Sequence, residues 1–150
     1  IGIAPLVGRS GDYAGDLQKL LDWSPDLVLT LTQLSELKKV GSADLPTDLG
    51  LNEIKWLHFP IDDFQAPDAG MDPLWDVMQD ILHTALTQKK RVIVHCMGGC
   101  GRSGMVALRL MCELGERAEL ALERLRTHRS CAVETKAQML WATHGQISQH

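Results

Sequence analysis

Val92-Ile93-Val94-His95-Cys96-Met97-Gly98-Gly99-Cys100-Gly101-Arg102-Ser103-Gly104 is the stretch on which the fold turns. Arg91–His95 is short and β-branched and reads as a buried strand. Ser103–Leu114 is apolar almost all round and reads as a central buried helix, with Gly115 as its stop. A glycine-rich loop joins the two. Gly98, Gly99, Gly101 and Gly104 permit tight turns and close backbone approach. Several backbone N–H groups then point into one concavity, with the positive end of the helix behind them. Such an arrangement binds an anion.

Outward from this centre, strands alternate with helices. Leu27–Leu31 reads as a second buried strand and Ile54–Ile61 as a third, ended by Pro60 and a polar loop. Short apolar segments within Ile1–Val7 add edge strands. Thr32 is expected to cap a short helix that carries Leu34, Leu37 and Val40 and ends at Gly41. Asp72 is expected to cap a longer helix with Pro73 at its first position. Leu74, Trp75, Met78, Ile81, Leu82, Ala85 and Leu86 make one apolar stripe along it, and Lys89, Lys90 and Arg91 fall near its C-terminal end. Glu116–His128 and Thr135–Ile147 read as two further amphipathic helices. The pattern predicts an α/β fold: a single domain over residues 1–150, with a mostly parallel central sheet flanked by helices.

Composition bounds the function. The chain has 150 residues, enough for one core. Its net charge of -4 argues against a dedicated nucleic-acid binder, yet leaves room for a local positive pocket. No apolar run approaches the roughly 18 residues of a membrane span. The 4 cysteines, Cys96, Cys100, Cys112 and Cys131, lack CxxC spacing, and the 6 histidines lack HxxxH spacing, so no metal is implied. The chain is too long and too apolar to need a disulfide scaffold. Free thiols in a reducing compartment, the cytoplasm, are the simplest expectation. The first residue is Ile1 rather than Met, which leaves a processed leader open. Trp23, Trp56, Trp75 and Trp141 read as packing residues. Cys112 reads as a small apolar residue of the buried helix. His58, His83, His128, His144 and His150 receive no metal role.

Cys96 opens the loop and Arg102 closes it. The thiolate is the nucleophilic form of cysteine, and the loop N–H groups, the helix N-terminus and Arg102 all favour the anion. Arg102 offers a planar fork of donors matched to two phosphate oxygens. One loop can thus hold a tetrahedral dianion and place a nucleophile under its phosphorus. Ser103 is positioned to stabilise the cysteine as it leaves a phosphoenzyme. His95 orients the loop by hydrogen bonding. Met97, Gly98, Gly99, Cys100, Gly101 and Arg102 surround the phosphate. Cys100 keeps two readings: a supplier of backbone N–H, or a redox partner that traps oxidised Cys96 as a disulfide.

His95–Ser103, HCMGGCGRS, resembles the HCxxGxxR-Ser/Thr signature of the protein tyrosine phosphatase superfamily. The resemblance implies an α/β fold, no metal or other cofactor, attack of the cysteine on phosphorus and phosphate binding by the arginine. His58–Asp68 resembles the acid loop of compact dual-specificity phosphatases, especially the cyclin-dependent-kinase-associated type and its bacterial relatives. There Pro-Ile-x-Asp is followed by three residues, Pro and Asp. Asp63 falls on the catalytic aspartate, which would protonate the leaving oxygen. Asp62 is its rival, and Asp68 reads as a solvated loop residue. Arg129–Gln138 is similar to the group's Arg-Pro-Gly, aliphatic pair and Thr-x-x-Gln, with Ser130 and Cys131 in place of Pro and Gly. In that pattern Gln138 positions the hydrolytic water. The alternative is an exposed polar residue on the last helix.

None of Met97–Gly101 is Lys or Arg, whereas phosphoinositide phosphatases of this superfamily often carry lysines there. The resemblance therefore implies metal-independent hydrolysis of phosphotyrosine, with phosphoserine, phosphothreonine or small aryl phosphates, through a cysteinyl-phosphate. The partner is a phosphorylated protein or a small phosphate ester, with no nucleic acid and no membrane. The sequence leaves the oligomeric state open. Alternatives are a catalytically weak phosphoprotein-binding module and a phosphatase of non-protein phosphate esters. A rhodanese-like sulfurtransferase is disfavoured by the length of the loop from Cys96 to Arg102, and an arsenate reductase by the order of Asp63 before Cys96.

Overall fold

The computed structural model describes residues 1–147, so His150 lies outside the described residues. The strands are β1 (Gly2–Ala4), β2 (Leu27–Thr30), β3 (Lys55–His58) and β4 (Val92–His95). They form one sheet in the order β1-β4-β2-β3, and every pairing is parallel. A parallel sheet needs crossover connections, and these cover both of its faces.

Strand side chains alternate between faces. Leu27, Leu29, Val92 and Val94 enter one apolar core, while Val28 and Ile93 enter another. The second core is closed by α1 (Tyr13–Asp22), α2 (Leu34–Lys39) and α3 (Leu45–Leu51), through Leu20, Leu37, Leu45 and Leu49. The first is closed by α4 (Asp72–Thr87), α5 (Gly101–Glu113), α6 (Ala118–His128) and α7 (Lys136–Ile147). The α4 stripe read from the sequence faces this core, and Trp75 packs there against Phe59 and Trp141. The chain is thus the α/β domain expected, with helices in two layers around a parallel sheet. No helix among the described residues is long and apolar enough to cross a membrane.

Several local expectations are corrected. The N-cap of α2 is Gln33, not Thr32. Thr32 is buried at the end of β2, where its carbonyl accepts a hydrogen bond from His58 Nε2 at 2.7 Å. Asp72 is the first residue of α4 rather than its cap, which is Met71. The third strand stops at His58, yet Phe59 and Ile61 still donate to the carbonyls of Thr30 and Leu31, both at 2.9 Å. The sequence reading missed α1 and α3. In α3 the sequence LPTDLGL contains poor helix formers, and the complete burial of Leu45 and Leu49 outweighs them.

The expectation of four free thiols is also overturned. Cys100 and Cys131 form a disulfide with Cα atoms 5.1 Å apart, while Cys96 and Cys112 are free. Tertiary packing is the reason: the loop before α5 lies against the turn between α6 and α7.

Gly104 shows how tight that packing is. A Cβ there would lie 2.7 Å from both Ala132 Cα and Val133 N. Neither backbone atom can rotate aside. Gly104→Ala is expected to lower unfolding stability by about 1–3 kcal/mol in urea titration. An unchanged midpoint and slope would show that the turn shifts freely.

Candidate active site

The parallel register places Thr30 beside both His58 and His95. The C-terminal ends of β2, β3 and β4 therefore share one rim of the sheet, where ligands of open α/β sheets bind. Gln33–Glu36, Asp62–Phe64 and Cys96–Ser103 leave the strands on this rim.

Cys96 is buried at the end of β4, with its Sγ 3.3 Å from the buried Ser103 Oγ. The loop beyond it is held from outside through its carbonyls. Met97 O accepts from Leu6 N at 3.0 Å. Arg129 donates to Gly98 O from Nη2 at 3.2 Å and to Gly99 O from Nε at 2.8 Å. In a trans peptide the C=O and the next N–H oppose one another. The N–H groups of Gly98, Gly99 and Cys100 therefore face the opposite side, as an anion site requires. Gly99 has φ +71°, and a Cβ there would lie 2.5 Å from Arg129 Nη2 and 3.0 Å from the Ala4–Pro5 backbone. Glycine alone fits.

Arg102 lies in the first turn of α5 and is 1% exposed. Its Nη1 and Nη2 each donate to the Glu36 carboxylate at 2.8 Å, a two-pronged pair. Nη1 also donates to Ile61 O at 2.9 Å, and Asp63 Oδ1 lies 3.4 Å from Nη2. The buried Nε finds no partner among the described residues, so one donor of the fork remains unused. Burial opposes ionisation of Glu36, but Arg102 and the Gln33 N–H outweigh it and hold its carboxyl below the ordinary 4.5. Sequence reasoning missed Glu36. Its spacing from Gln33 is that of a helix cap, which gives no sign of a partner 66 residues away.

The two candidate acids diverge. Asp63 faces Arg102, is half exposed, and accepts from Phe64 N at 3.0 Å. Asp62 accepts from Gln33 Nε2 at 3.1 Å. Gln138 is fully buried, so its reading as an exposed residue is corrected. Its Oε1 accepts from the N–H groups of Glu134 at 2.9 Å and Thr135 at 3.2 Å, and its Nε2 donates to Gln65 O at 3.2 Å. It thereby ties the start of α7 to the loop after β3 that carries Asp62 and Asp63. Cys100, a candidate partner for oxidised Cys96 by sequence, is bonded to Cys131 instead.

His95 is buried, with Nε2 2.6 Å from Thr30 Oγ1. That hydroxyl also accepts from the Trp56 indole at 2.7 Å. Burial, first of all, pushes the His95 pKa down to about 4, and the positive field of Arg102 works in the same direction. Among the described residues, no three His, Cys, Asp or Glu side chains cluster as a metal site would require.

Residues 28–144 match the dual specificity phosphatase catalytic domain family. The chain is similar to cyclin-dependent kinase inhibitor 3 of Rattus norvegicus, 37% identical over 84 residues, covering 54% of this chain and 38% of the rat protein. It thus spans well under half the length of that relative. The structure of Tk-PTP in the active form aligns with TM-score 0.73 and 27% identity, over 96% of this chain and 89% of that one. Kinase associated phosphatase with serine at its catalytic cysteine aligns in fold with TM-score 0.82 and 24% identity, over 98% of this chain and 86% of that one.

The buried imidazole has a consequence for stability. Its folded pKa of about 4 lies below its ordinary 6.5, so between these values the unfolded chain binds more protons. Stability is then expected to rise with pH across this window, and to fall on acidification by up to roughly 1.4 kcal/mol per unit. Urea titrations between pH 7 and 4.5 measure it, with His95→Asn flattening the slope. Parallel slopes for wild type and variant would exclude His95 as the source.

Proposed function

Because the chain belongs to the dual specificity phosphatase catalytic domain family, we propose that it hydrolyses phosphate monoesters through a phosphoenzyme on Cys96. The observation that carries this reading is the loop itself. A buried thiol stands at the mouth of a turn whose carbonyls are held outward and whose closing arginine retains an unpartnered donor.

In the first step the Cys96 thiolate attacks phosphorus and the ester P–O bond breaks. The departing oxygen takes a proton from Asp63. The N–H groups of Gly98, Gly99 and Cys100, together with Arg102, hold the remaining oxygens as charge redistributes. In the second step water attacks phosphorus, Asp63 receives the water's proton, and the P–S bond breaks. Ser103, 3.3 Å from Sγ, stabilises the departing thiolate. Inorganic phosphate and the alcohol are the products. His95 holds the end of β4 in place through Thr30.

Asp63 is assigned the acid role over Asp62 because it reaches toward Arg102, whereas Asp62 is engaged by Gln33. Glu36 fixes the plane of the Arg102 fork. Gln138 positions the acid loop through Gln65, and a water-positioning role requires its amide to be released from that carbonyl. The uncharged Met97–Gly101 interior and the exposed Phe64 beside Asp63 support an aryl phosphate or phosphotyrosine, with phosphoserine and phosphothreonine as further substrates. The phosphate-bearing partner is a protein or a small ester. A cytoplasmic site of action suits the need of Cys96 for a reducing medium.

With a chelator present, wild type is expected to hydrolyse an aryl phosphate and Cys96→Ser to lose turnover. Asp63→Asn should lower kcat by about 10²-fold or more, and Asp62→Asn should leave it nearly unchanged. Full activity in Cys96→Ser would overturn the mechanism. Loss in Asp62→Asn alone would transfer the acid role to Asp62.

A further inference from the structure

The Cys100–Cys131 bond is not used by the phosphatase chemistry. Cys100 immediately precedes α5, within the phosphate loop, and Cys131 lies in the turn between α6 and α7. Cys131 is exposed and Cys100 half-buried. The medium that bathes the protein therefore meets the bond on the Cys131 side. Disulfides in reducing compartments are usually transient, catalytic or redox-sensing.

The bond adds a covalent tie between two segments that otherwise meet through Arg129 on the Gly98 and Gly99 carbonyls and through the packing of Gly104 on Ala132 and Val133. Val133 N donates to Cys100 O only at 3.4 Å. Val133 itself has φ 65°, an unfavourable conformation for a β-branched residue, so the turn is held in a shape it would not choose alone. Arg129, whose guanidinium holds the Gly98 and Gly99 carbonyls, lies two residues before Cys131. Arg129 is anchored on one side by α6, where its N–H donates to Leu125 O at 2.8 Å, and is followed on the other by the turn that carries Cys131.

We propose that Cys100–Cys131 is a reversible thiol–disulfide exchange site, that its substrates are dithiols and low-molecular-weight disulfides, and that its closed form holds the phosphate loop in its anion-binding shape. The last clause rests on the reading of His95–Ser103 as a phosphate site. In opening, one thiolate of a dithiol attacks the sulfur of Cys131, the more exposed of the two residues. The S–S bond to Cys100 breaks, and Cys100 leaves as a thiolate. The second thiolate of the reagent attacks the mixed disulfide, releases Cys131 as a thiolate and closes a cyclic disulfide. Two electrons pass to the protein, and the two protons of the dithiol remain for the released sulfurs. Closure is the reverse exchange, with a disulfide such as oxidised glutathione as the oxidant. The leaving sulfur sits at the N-cap of a 13-residue helix, whose positive end favours a departing anion. Opening weakens anion binding twice over: it frees the turn behind Arg129, and it leaves a thiolate beside the site of a dianion.

The test uses Cys96→Ser, which removes oxidation of the nucleophile from the readout, and tungstate as a redox-inert oxyanion. Protein equilibrated with oxidised glutathione is expected to yield a disulfide-linked Cys100–Cys131 peptide by mass mapping. Reduction with dithiothreitol should lower tungstate affinity by about tenfold in calorimetry, an ordinary size for coupling between two sites. Cys96→Ser/Cys131→Ser should show the low affinity in both media. By linkage, saturating tungstate should make the bond harder to reduce by the same factor. Recovery of only unlinked, alkylated cysteines would overturn the exchange site. A linked peptide with equal tungstate affinity in both redox states would overturn its hold on the loop. Absence of tungstate binding in either state, with the linked peptide present, would overturn that hold together with the phosphatase reading, and the peptide tells this failure from an absent bond.

Discussion

Arg102 carries a permanent positive charge into a position that is 1% exposed. A buried guanidinium is costly to leave unpaired, so the surrounding elements must bring it acceptors. They come from three places: Glu36 at the start of α2, the Ile61 carbonyl beyond β3, and Asp63 in the acid loop. The same side chain thus joins the connections leaving β2, β3 and β4. A single residue at the start of α5 thereby organises the rim of the sheet.

That organisation depends on parallel strands. With Thr30 beside both His58 and His95, the segments leaving β2, β3 and β4 emerge at one edge, and the helices that make the crossovers seal both faces. The Trp56–Thr30–His95 hydrogen bonds then fix the end of β4 against β2 and β3. On the outer side of the loop, Arg129 takes the carbonyls while the opposed N–H groups remain for an anion. One cation holds the loop from behind, and another closes it at the start of α5.

The strand, glycine loop and buried helix around Cys96 and Arg102 were legible in the sequence because these parts are contiguous. The apolar stripe of α4 was legible because helical periodicity is local. The misreadings fall where local and distant preferences compete. Thr32 is a good capping residue by type, but the end of β2 buries it, and the cap passes to Gln33. Glu36 resembles an ordinary first-turn acid, and only the fold shows that its carboxylate meets Arg102. Gln138 sits on a helix that could have exposed it, yet the acid loop covers it.

By itself the sequence determined the α/β class, the buried strand and helix around Cys96, and the resemblance that singles out Cys96, Arg102 and Asp63. These come from residue type and short-range spacing. Only the tertiary structure decided which carboxylate faces Arg102, that Glu36 anchors it, and that Cys100 meets Cys131 rather than remaining a free thiol. The physical reason is chain separation. Contacts between residues 31 or 66 positions apart depend on how crossovers pack on the sheet, and no local pattern encodes that distance.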